Sequence, residues 1–341
     1  MVSVQDVLAG NRLALARLLT EIENETSDGR RALNEIFVKT GRAHLIGVTG
    51  SPGTGKSTLV NQLAHYYRKP QDGQKPQSVA VIAVDPSSPF SGGAVLGDRV
   101  RMRDLAGDPG VFIRSMASRG SLGGLAAATS GMVQAFDAAG YDIILIETVG
   151  AGQAEVDIAR LAHTTLVIEA PGMGDDIQAI KAGILEIADI LVINKADRSG
   201  VENTERALKG MLSLAHPVER VFHHHGHIEE TAPFQAEPSP DQEIWVAPIQ
   251  RTIAPEGTGI TELVDQINQH RVYLKNSGNW QQREMARLQN ELNNLIQIKL
   301  TNQWRRGLSP QGYQNILEQL VQRSISPREA ANLLINGVRE K

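Results

Sequence analysis

Short apolar runs alternate with amphipathic stretches through the middle of the chain. Runs in which nearly every position is apolar are typical of strands that are buried on both faces of a parallel sheet. The runs that we interpret as strands are residues 45–48, 79–84, 143–146, 166–168, 190–193 and 244–246. Because helical patterns separate them, the sequence predicts an α/β fold in which a mostly parallel sheet is flanked by helices.

Helical patterns dominate both ends of the chain. Apolar residues recur at near-helical spacing up to residue 36, which predicts an N-terminal helical arm over residues 1–40. A central domain over residues 41–275 follows, and a C-terminal helical arm over residues 276–341 completes the chain. The residues that carry the pattern of that last arm are Met285, Leu288, Leu292 and Leu295. Such a stripe needs a partner surface, and periodicity leaves open whether the arm is an ordinary packed tail or a dimerisation arm.

Composition narrows the class of protein. Hydrophobic residues make up 41% of the chain and charged residues 21%, which is ordinary for a soluble globular protein. With 34 Lys and Arg against 38 Asp and Glu, the net charge of −4 provides no basic field for nucleic acid, so we expect no nucleic-acid partner. The lack of cysteine excludes disulfides, thiolate catalysis and Cys-ligated metal centres.

Neither a leader nor a membrane span is expected. Residues 1–23 interrupt their apolar positions with Asp6, Arg12, Arg17 and Glu21, whereas a signal peptide has an unbroken apolar core. No apolar run approaches the roughly 20 residues that cross a bilayer. We therefore predict a cytoplasmic protein that does not contact membranes.

A phosphate-binding loop follows the first predicted strand. Residues 50–57 match Gly-x-x-x-x-Gly-Lys-Ser and lie between that strand and a helical pattern, which is the context that this motif requires. Backbone amides of the loop and the helix N-terminus attract phosphate, while Lys56 is expected to reach the outer phosphates and Ser57 to bind Mg²⁺. The predicted phosphate-binding residues are Gly50, Ser51, Pro52, Gly53, Thr54, Gly55, Lys56, Ser57 and Thr58.

A second motif indicates which base the nucleotide carries. Asn194, Lys195 and Asp197 form the Asn-Lys-x-Asp element that reads the base in GTPases, and they follow the strand predicted at residues 190–193. A carboxylate at Asp197 can accept the ring imino and exocyclic amine hydrogens of guanine, and adenine offers no such pair of donors. The sequence therefore predicts that GTP is bound in preference to ATP.

Acidic residues between these motifs are candidates for the metal site. Glu147 closes a strand, with a glycine three residues later, and Asp85 closes another strand. Together with Asp98 they could face the Mg²⁺ bound by Ser57, directly or through its waters. We assign Lys56, Asp85 and Glu147 as the catalytic residues. No single residue is indicated as the one that orients the attacking water, and Gln153 is the candidate considered. The candidate arginine fingers are Arg99, Arg101 and Arg103.

Histidines cluster in a Gly- and Pro-rich stretch before the last predicted strand. They are His223, His224, His225 and His227. Such a cluster can bind Zn²⁺ or Ni²⁺. Since no set of acidic ligands accompanies it, we favour a solvated loop.

Longer motifs resemble one family. Residues 85–102, Asp-Pro-Ser-Ser-Pro-Phe-Ser-Gly-Gly-Ala-Val-Leu-Gly-Asp-Arg-Val-Arg-Met, and residues 147–153, Glu-Thr-Val-Gly-Ala-Gly-Gln, are similar to the MeaB/ArgK family of P-loop GTPases. Residues 171–176 with Lys181, residues 194–197 and residues 270–274 extend the resemblance over nearly the whole chain.

The resemblance implies a function. Members of that family are G-protein chaperones of adenosylcobalamin-dependent acyl-CoA mutases, chiefly methylmalonyl-CoA mutase, and they gate loading of the cofactor and protect or reactivate the mutase. It also implies a Rossmann-like P-loop domain, a homodimer formed by the C-terminal helices, and a metal site with Asp85, Asp98 and Glu147. Asp175 and Lys181 fall in a switch that couples the nucleotide to the mutase. Residues 252–254 match the last guanine-contacting loop only loosely, so Ala254 is assigned no catalytic task.

Other functions compete with this one. A GTPase that delivers nickel to hydrogenase or urease usually carries Cys or Cys-His metal sites, and this chain has no cysteine. A kinase linked to basic amino-acid transport would need an acceptor pocket and a catalytic base, and neither is evident. A scaffold stabilised by bound nucleotide would show no turnover. The interpretation we favour is a slow GTPase that uses Mg²⁺ and GTP and releases GDP.

Overall fold

The structure is a computed structural model. It describes residues 3–70, 73–86, 102, 104–105, 107–118, 124–148, 158–172, 186–214 and 244–336.

A parallel sheet of seven strands organises the central domain in the order β3-β2-β4-β1-β5-β6-β7. Each neighbouring pair in this order is parallel. The strands β1 to β7 are His44–Gly50, Val79–Pro86, Val111–Ser118, Ile143–Thr148, Thr164–Glu169, Ile190–Asn194 and Ile249–Thr252. The predicted parallel α/β sheet is therefore confirmed.

Helices cover both faces of the sheet. The helices α1 to α10 are Val4–Leu8, Arg12–Glu23, Ser27–Ile36, Lys56–Arg68, Gly124–Ala138, Val201–Leu214, Ile260–Asn276, Asn279–Arg306, Pro310–Val321 and Pro327–Asn336. One core cluster joins α1, α2, α3 and α5 to one face of the sheet, and a second joins α4 and α7 to the other face. Among the described helices, none has both the length and the apolarity needed to cross a membrane.

Two strands differ from the prediction. Residues 244–246 form no strand, and the last strand begins at Ile249. The side chains of Ile244 and Val246 are 56% and 74% exposed, so this run is apolar without being buried. The edge strand β3 was missed because Arg114 and Ser115 interrupt its apolar pattern. Arg114 forms an ion pair with Glu23 of α2, which is a tertiary contact that no local pattern reveals.

Polar groups are buried at the edge of the sheet where the strands begin. The Nε2 atom of His44 lies 2.8 Å from Oγ1 of Thr164, which in turn lies 2.9 Å from Nδ1 of His270. The Nε2 atom of His270 lies 3.4 Å from a carboxylate oxygen of Asp189. Burial, with smaller contributions from nearby cationic groups such as Arg271, holds the pKa of His44 well below its usual value.

The first turns of α8 pack against this buried group. Trp280 stacks on His163 with ring centroids 3.9 Å apart, and Nε2 of His163 lies 2.6 Å from a carboxylate oxygen of Glu284. Arg283 donates two hydrogen bonds of 2.9 Å to the carboxylate of Asp189. Burial lowers the pKa of His163, although Glu284 opposes this effect. Burial also acts to raise the pKa of Glu284, but hydrogen bonds from His163 and Arg287 outweigh it and lower that pKa to about 2.

The chain divides into two compact units, Met1–Leu288 and Gln289–Lys341. The first unit contains the N-terminal helices and the whole sheet. The second contains the remainder of α8 together with α9 and α10, and within it the indole nitrogen of Trp304 donates to the carbonyl oxygen of Leu334 at 3.1 Å. Several large apolar side chains of the second unit are exposed, among them Leu292, Leu300 and Val321.

Candidate nucleotide-binding site

The loop between β1 and α4 depends on two glycines. Gly50 has a φ of 137°, and a Cβ atom there would lie 2.1 Å from the carbonyl oxygen of Ile168 in β5. Gly55 has a φ of 94°, and a Cβ atom there would lie 2.4 Å from Nδ2 of Asn194. Any other residue at either position would be strained and would collide with a neighbouring loop or strand. The glycines therefore allow the loop to curl tightly at the carboxyl end of β1.

Lys56 is held inside this loop. Its Nζ atom donates to the carbonyl oxygen of Gly50 at 2.8 Å and to that of Ser51 at 2.9 Å, and the side chain is buried. The ammonium group is thereby placed at the start of α4, where the helix dipole also favours an anion. This geometry suits the binding of phosphate oxygens.

Ser57 contacts the end of β4. Its hydroxyl donates to Oε1 of Glu147 at 2.6 Å, and both side chains are buried. A hydroxyl and a carboxylate are the oxygen ligands that Mg²⁺ prefers. The chemistry of the pair therefore fits a magnesium ion at the carboxyl edge of the sheet.

Asn194 connects three loops. Its Nδ2 atom donates to the carbonyl oxygen of Thr54 at 2.8 Å, which ties β6 to the phosphate loop. Its Oδ1 atom accepts hydrogen bonds from the hydroxyl of Thr252 at 3.2 Å and from the backbone amide of Ala254 at 3.1 Å. Asn194 is thus a brace between loops, and the amide contact of Ala254 gives residues 252–254 a place in the site. The sequence matched residues 252–254 only loosely to a guanine-contacting loop, and it did not indicate the contact between Thr252 and Asn194, which are 58 residues apart along the chain.

Lys195 and Asp197 follow at the same edge of the sheet. Lys195 adopts a left-handed backbone conformation with a φ of 58°, and its ammonium donates to the carbonyl oxygen of Gly53. A positive φ in a residue with a side chain is costly and is found at sites where the surrounding structure holds it. The side chain of Asp197 is exposed, so its carboxylate is open to a ligand.

A cleft of about 520 Å³ opens beside this loop. It is lined by Ala170, Pro171, Gly172, Arg198 and Ser199, which follow β5 and β6. Two of its lining residues, Arg198 and Ser199, directly follow Asp197 in the sequence. The cleft therefore lies at the same edge of the sheet as the phosphate loop.

Several predicted residues lie outside the described part of the chain. The backbone of Asp85 is in β2, paired with Ala117 of β3, but its side chain is not described. The other predicted residues outside it are Asp98, Arg99, Arg101, Arg103, Gln153, Asp175, Lys181, His223, His224, His225 and His227.

Comparisons with known proteins show which family this chain resembles. The family model described as methylmalonyl Co-A mutase-associated GTPase MeaB matches residues 15–308. A Pyrococcus abyssi protein named as a GTPase is 40% identical over 335 residues, which are 98% of this chain and 95% of that protein. The mouse protein named methylmalonic aciduria type A homolog, mitochondrial, is 28% identical over 351 residues, with 98% of this chain and 78% of that protein covered.

A solved structure extends the similarity to the fold. The crystal structure of a protein named LAO/AO transport system kinase has a TM-score of 0.67 and 26% sequence identity to this chain. The superposition covers 97% of this chain and 94% of the other.

Proposed function

Because the chain belongs to the MeaB family and is a GTPase, we propose that it is the G-protein chaperone of an adenosylcobalamin-dependent acyl-CoA mutase, with methylmalonyl-CoA mutase as the client. In this role it gates loading of the cofactor and protects or reactivates the mutase. The description of the matching family and the name of the mouse relative support the client. We place the chaperone in the cytoplasm.

The observation that carries the nucleotide part of the proposal is the bracing of three loops by Asn194. This brace places the phosphate loop beside the residues that would hold the base. Asp197 accepts hydrogen bonds from guanine, and Lys195 supports the base and the loop. Residues 50–58 bind the phosphates through their amides and through Lys56. GTP is the substrate and GDP the product.

Mg²⁺ is the ion that this donor set would hold. Ser57 would bind it, and Glu147, Asp85 and Asp98 would surround it directly or through water. When bound, the ion neutralises charge that develops on the phosphate oxygens. The hydroxyl of Ser57 must leave its present acceptor on Glu147 to do so. Lys56 leaves the carbonyl oxygens of the loop in the same way and meets the outer phosphates.

Coupling to the mutase passes through segments that respond to the γ-phosphate. We assign this response to residues 85–102, 147–155 and 171–181, with Asp175 and Lys181 as the residues that couple the nucleotide to the mutase. Coupling between two binding partners is reciprocal. If the mutase changes the affinity for GTP relative to that for GDP by some factor, the exchange of GDP for GTP changes the affinity for the mutase by the same factor. Equal mutase affinity of the two forms would remove this part of the proposal.

A homodimer formed by the C-terminal arm, residues 276–341, completes the proposal. The exposed side chains of Leu292 and Leu300 on α8 support it, because exposed apolar stripes on a long helix are typical of helix pairing. Light scattering of the purified protein tests it directly. A monomer at micromolar concentration would contradict the dimer.

One experiment tests the central claim. Release of phosphate is measured with Mg²⁺ and GTP, with ATP as the control, in the presence and absence of a cobalamin-dependent methylmalonyl-CoA mutase. Slow turnover of GTP that the mutase accelerates is the expected result. Turnover that the mutase leaves unchanged would retain the GTPase and require another client, beginning with other acyl-CoA mutases.

The kinase alternative is tested in the same assay. The structural neighbour that is named a transport system kinase makes this a specific alternative. With labelled γ-phosphate and a basic amino acid present, the label is expected in inorganic phosphate. Label in the amino acid would support the kinase instead.

A further inference from the structure

Two buried threonines join β1 to β4 beside the phosphate loop. The hydroxyl of Thr148 donates to the hydroxyl oxygen of Thr49 at 3.1 Å, and both side chains are almost completely buried. Thr49 immediately precedes Gly50, and Thr148 immediately follows Glu147. Because successive side chains of a strand point to opposite faces, the threonine pair lies on the face of the sheet opposite to Glu147.

The backbone pairing between these strands ends one residue before the threonines. The last pair of β1 and β4 is Val48 with Glu147. Beyond it, Thr49 pairs with Val167 of β5 and Thr148 pairs with Val84 of β2. At the position of the two threonines, β1 is therefore paired with β5, and β4 is paired with β2. The hydroxyl bond links β1 to β4 one residue beyond their last backbone pair.

The end of β1 has little freedom to move. Gly50 packs so closely against the backbone of Ile168 that not even a Cβ atom fits between them. We therefore take the end of β4, which carries Glu147, as the side of the gap that adjusts. The bond from Thr148 to Thr49 restrains this end.

The width of the gap matters for the metal. The oxygens of Ser57 and Glu147 are now 2.6 Å apart in a direct hydrogen bond. Two adjacent ligands of an octahedral Mg²⁺ at 2.0–2.1 Å lie about 3 Å apart, and a ligand that acts through water lies farther away. The two oxygens would therefore lie farther apart with the ion bound than they do in the direct hydrogen bond.

We propose that the hydrogen bond between Thr49 and Thr148 is a positioning contact for GTP hydrolysis, because it sets the spacing of β1 and β4 at which Ser57 and Glu147 hold Mg²⁺. The inference rests on the metal site of the proposed function. The two threonines act through their chain neighbours and touch neither nucleotide nor metal. They are positioning residues.

The test removes the hydroxyl while keeping the shape of the side chain. Thr148→Val is compared with Thr148→Ser, which retains the hydroxyl, while phosphate release and, separately, the Mg²⁺ dependence of fluorescent GDP binding are followed across a Mg²⁺ titration. We expect Thr148→Val to lower kcat about tenfold and to raise the Mg²⁺ concentration for half-maximal rate severalfold, because small displacements of positioned groups are costly. The KM for GTP is expected to change less than about twofold, and Thr148→Ser to stay near the wild-type values.

A matched control separates this effect from the general cost of losing a buried hydroxyl. Thr129 of α5 is also buried and its hydroxyl donates to the sulfur of Met116 in β3, so its bond does not join β1 to β4. Thr129→Val is expected to leave kcat and the Mg²⁺ dependence unchanged. Where Thr148→Val does not fold, Thr49→Val removes the same bond from the other side and is measured in its place.

The outcomes that overturn the inference are distinct. A valine variant with wild-type kcat and Mg²⁺ dependence would show that the bond positions nothing. Equal losses in Thr148→Val and Thr148→Ser would show that the rate depends on any change to this side chain and not specifically on its hydroxyl, which would also reject the inference. A wild-type rate that is independent of Mg²⁺ would contradict the proposed metal site, and with it the inference.

Discussion

The hydroxyl of Ser57 lies 2.6 Å from a carboxylate oxygen of Glu147, and this contact joins the first turn of α4 to the end of β4. The two residues are 90 positions apart along the chain. Because both side chains are buried at the carboxyl edge of a parallel sheet, they meet where open α/β sheets bind their ligands. This contact is the observation from which we propose the metal site.

Replacement of Glu147 by Gln is expected to impair hydrolysis. The amide retains an oxygen that can accept from Ser57 but has no charge to attract Mg²⁺, so we expect kcat to fall by about 100-fold or more. The change is measured as phosphate release at saturating GTP and Mg²⁺. Glu205→Gln, which removes a carboxylate paired with Arg251 at the surface, is the control and should retain the wild-type rate. Similar rates for both variants would remove Glu147 from the site.

Replacement of Asn194 by Ala is expected to weaken nucleotide binding. The substitution leaves the buried carbonyl oxygen of Thr54 and the amide of Ala254 without their hydrogen-bond partner. Each unsatisfied group raises the free energy of the braced conformation by about 1–3 kcal/mol. Affinity for GDP should therefore fall by at least about tenfold. Thr252→Val removes one donor to Asn194 and should cost less. Titration with fluorescent GDP measures both variants, and equal affinity in Asn194→Ala and wild type would show that the brace does not serve the nucleotide.

Replacement of Asp197 by Asn is expected to abolish the preference for guanine. The amide places an NH₂ group where a carboxylate oxygen accepted a hydrogen bond, so the donors of guanine lose their partner. The ratio of kcat/KM for GTP over ATP should fall by at least about 10-fold. Asp142→Asn is the control, because Asp142 immediately precedes β4 and so lies at the edge of the sheet opposite to Asp197. Unchanged discrimination in Asp197→Asn would reject the assignment of the base site.

Stability is expected to fall in acid. The folded-state pKa values of His44 and His163 lie below the value of about 6.5 for an exposed histidine, chiefly because both are buried. The unfolded chain therefore binds more protons than the folded chain below pH 6.5. Stability is fully present above this pH and falls by up to about 1.4 kcal/mol per pH unit for each histidine as the pH decreases.

Chemical denaturation at pH 7.5, 6.5 and 5.5 measures this dependence. Glu284, with a pKa of about 2, stays ionised throughout and does not contribute to the slope. In His44→Gln the fall between pH 6.5 and 5.5 should be smaller than in wild type. A variant with the wild-type slope would show that His44 does not account for the acid sensitivity.

The strands that sequence analysis located correctly share one property. In β1, β2, β4, β5 and β6, a continuous apolar run coincides with burial on both faces of the sheet. The edge strand β3 has no such run, because Arg114 points to a partner on α2. The run at residues 244–246 is apolar but exposed, and Trp245 there donates to the backbone of Asp189. Hydrophobicity therefore predicted the centre of the sheet and was ambiguous at both of its edges.

The sequence by itself determined the local chemistry of the site. The phosphate loop and the base-reading element are recognisable because each is a short stretch whose residue types are required by its own backbone and its own ligand, as at Gly50 and Asp197. Tertiary structure alone decided which distant residues support them. Thr252 reaches Asn194, and Thr148 reaches Thr49, because parallel strands bring positions far apart in the chain to one edge of the sheet. Such pairings depend on strand order, and no local pattern of residues encodes strand order.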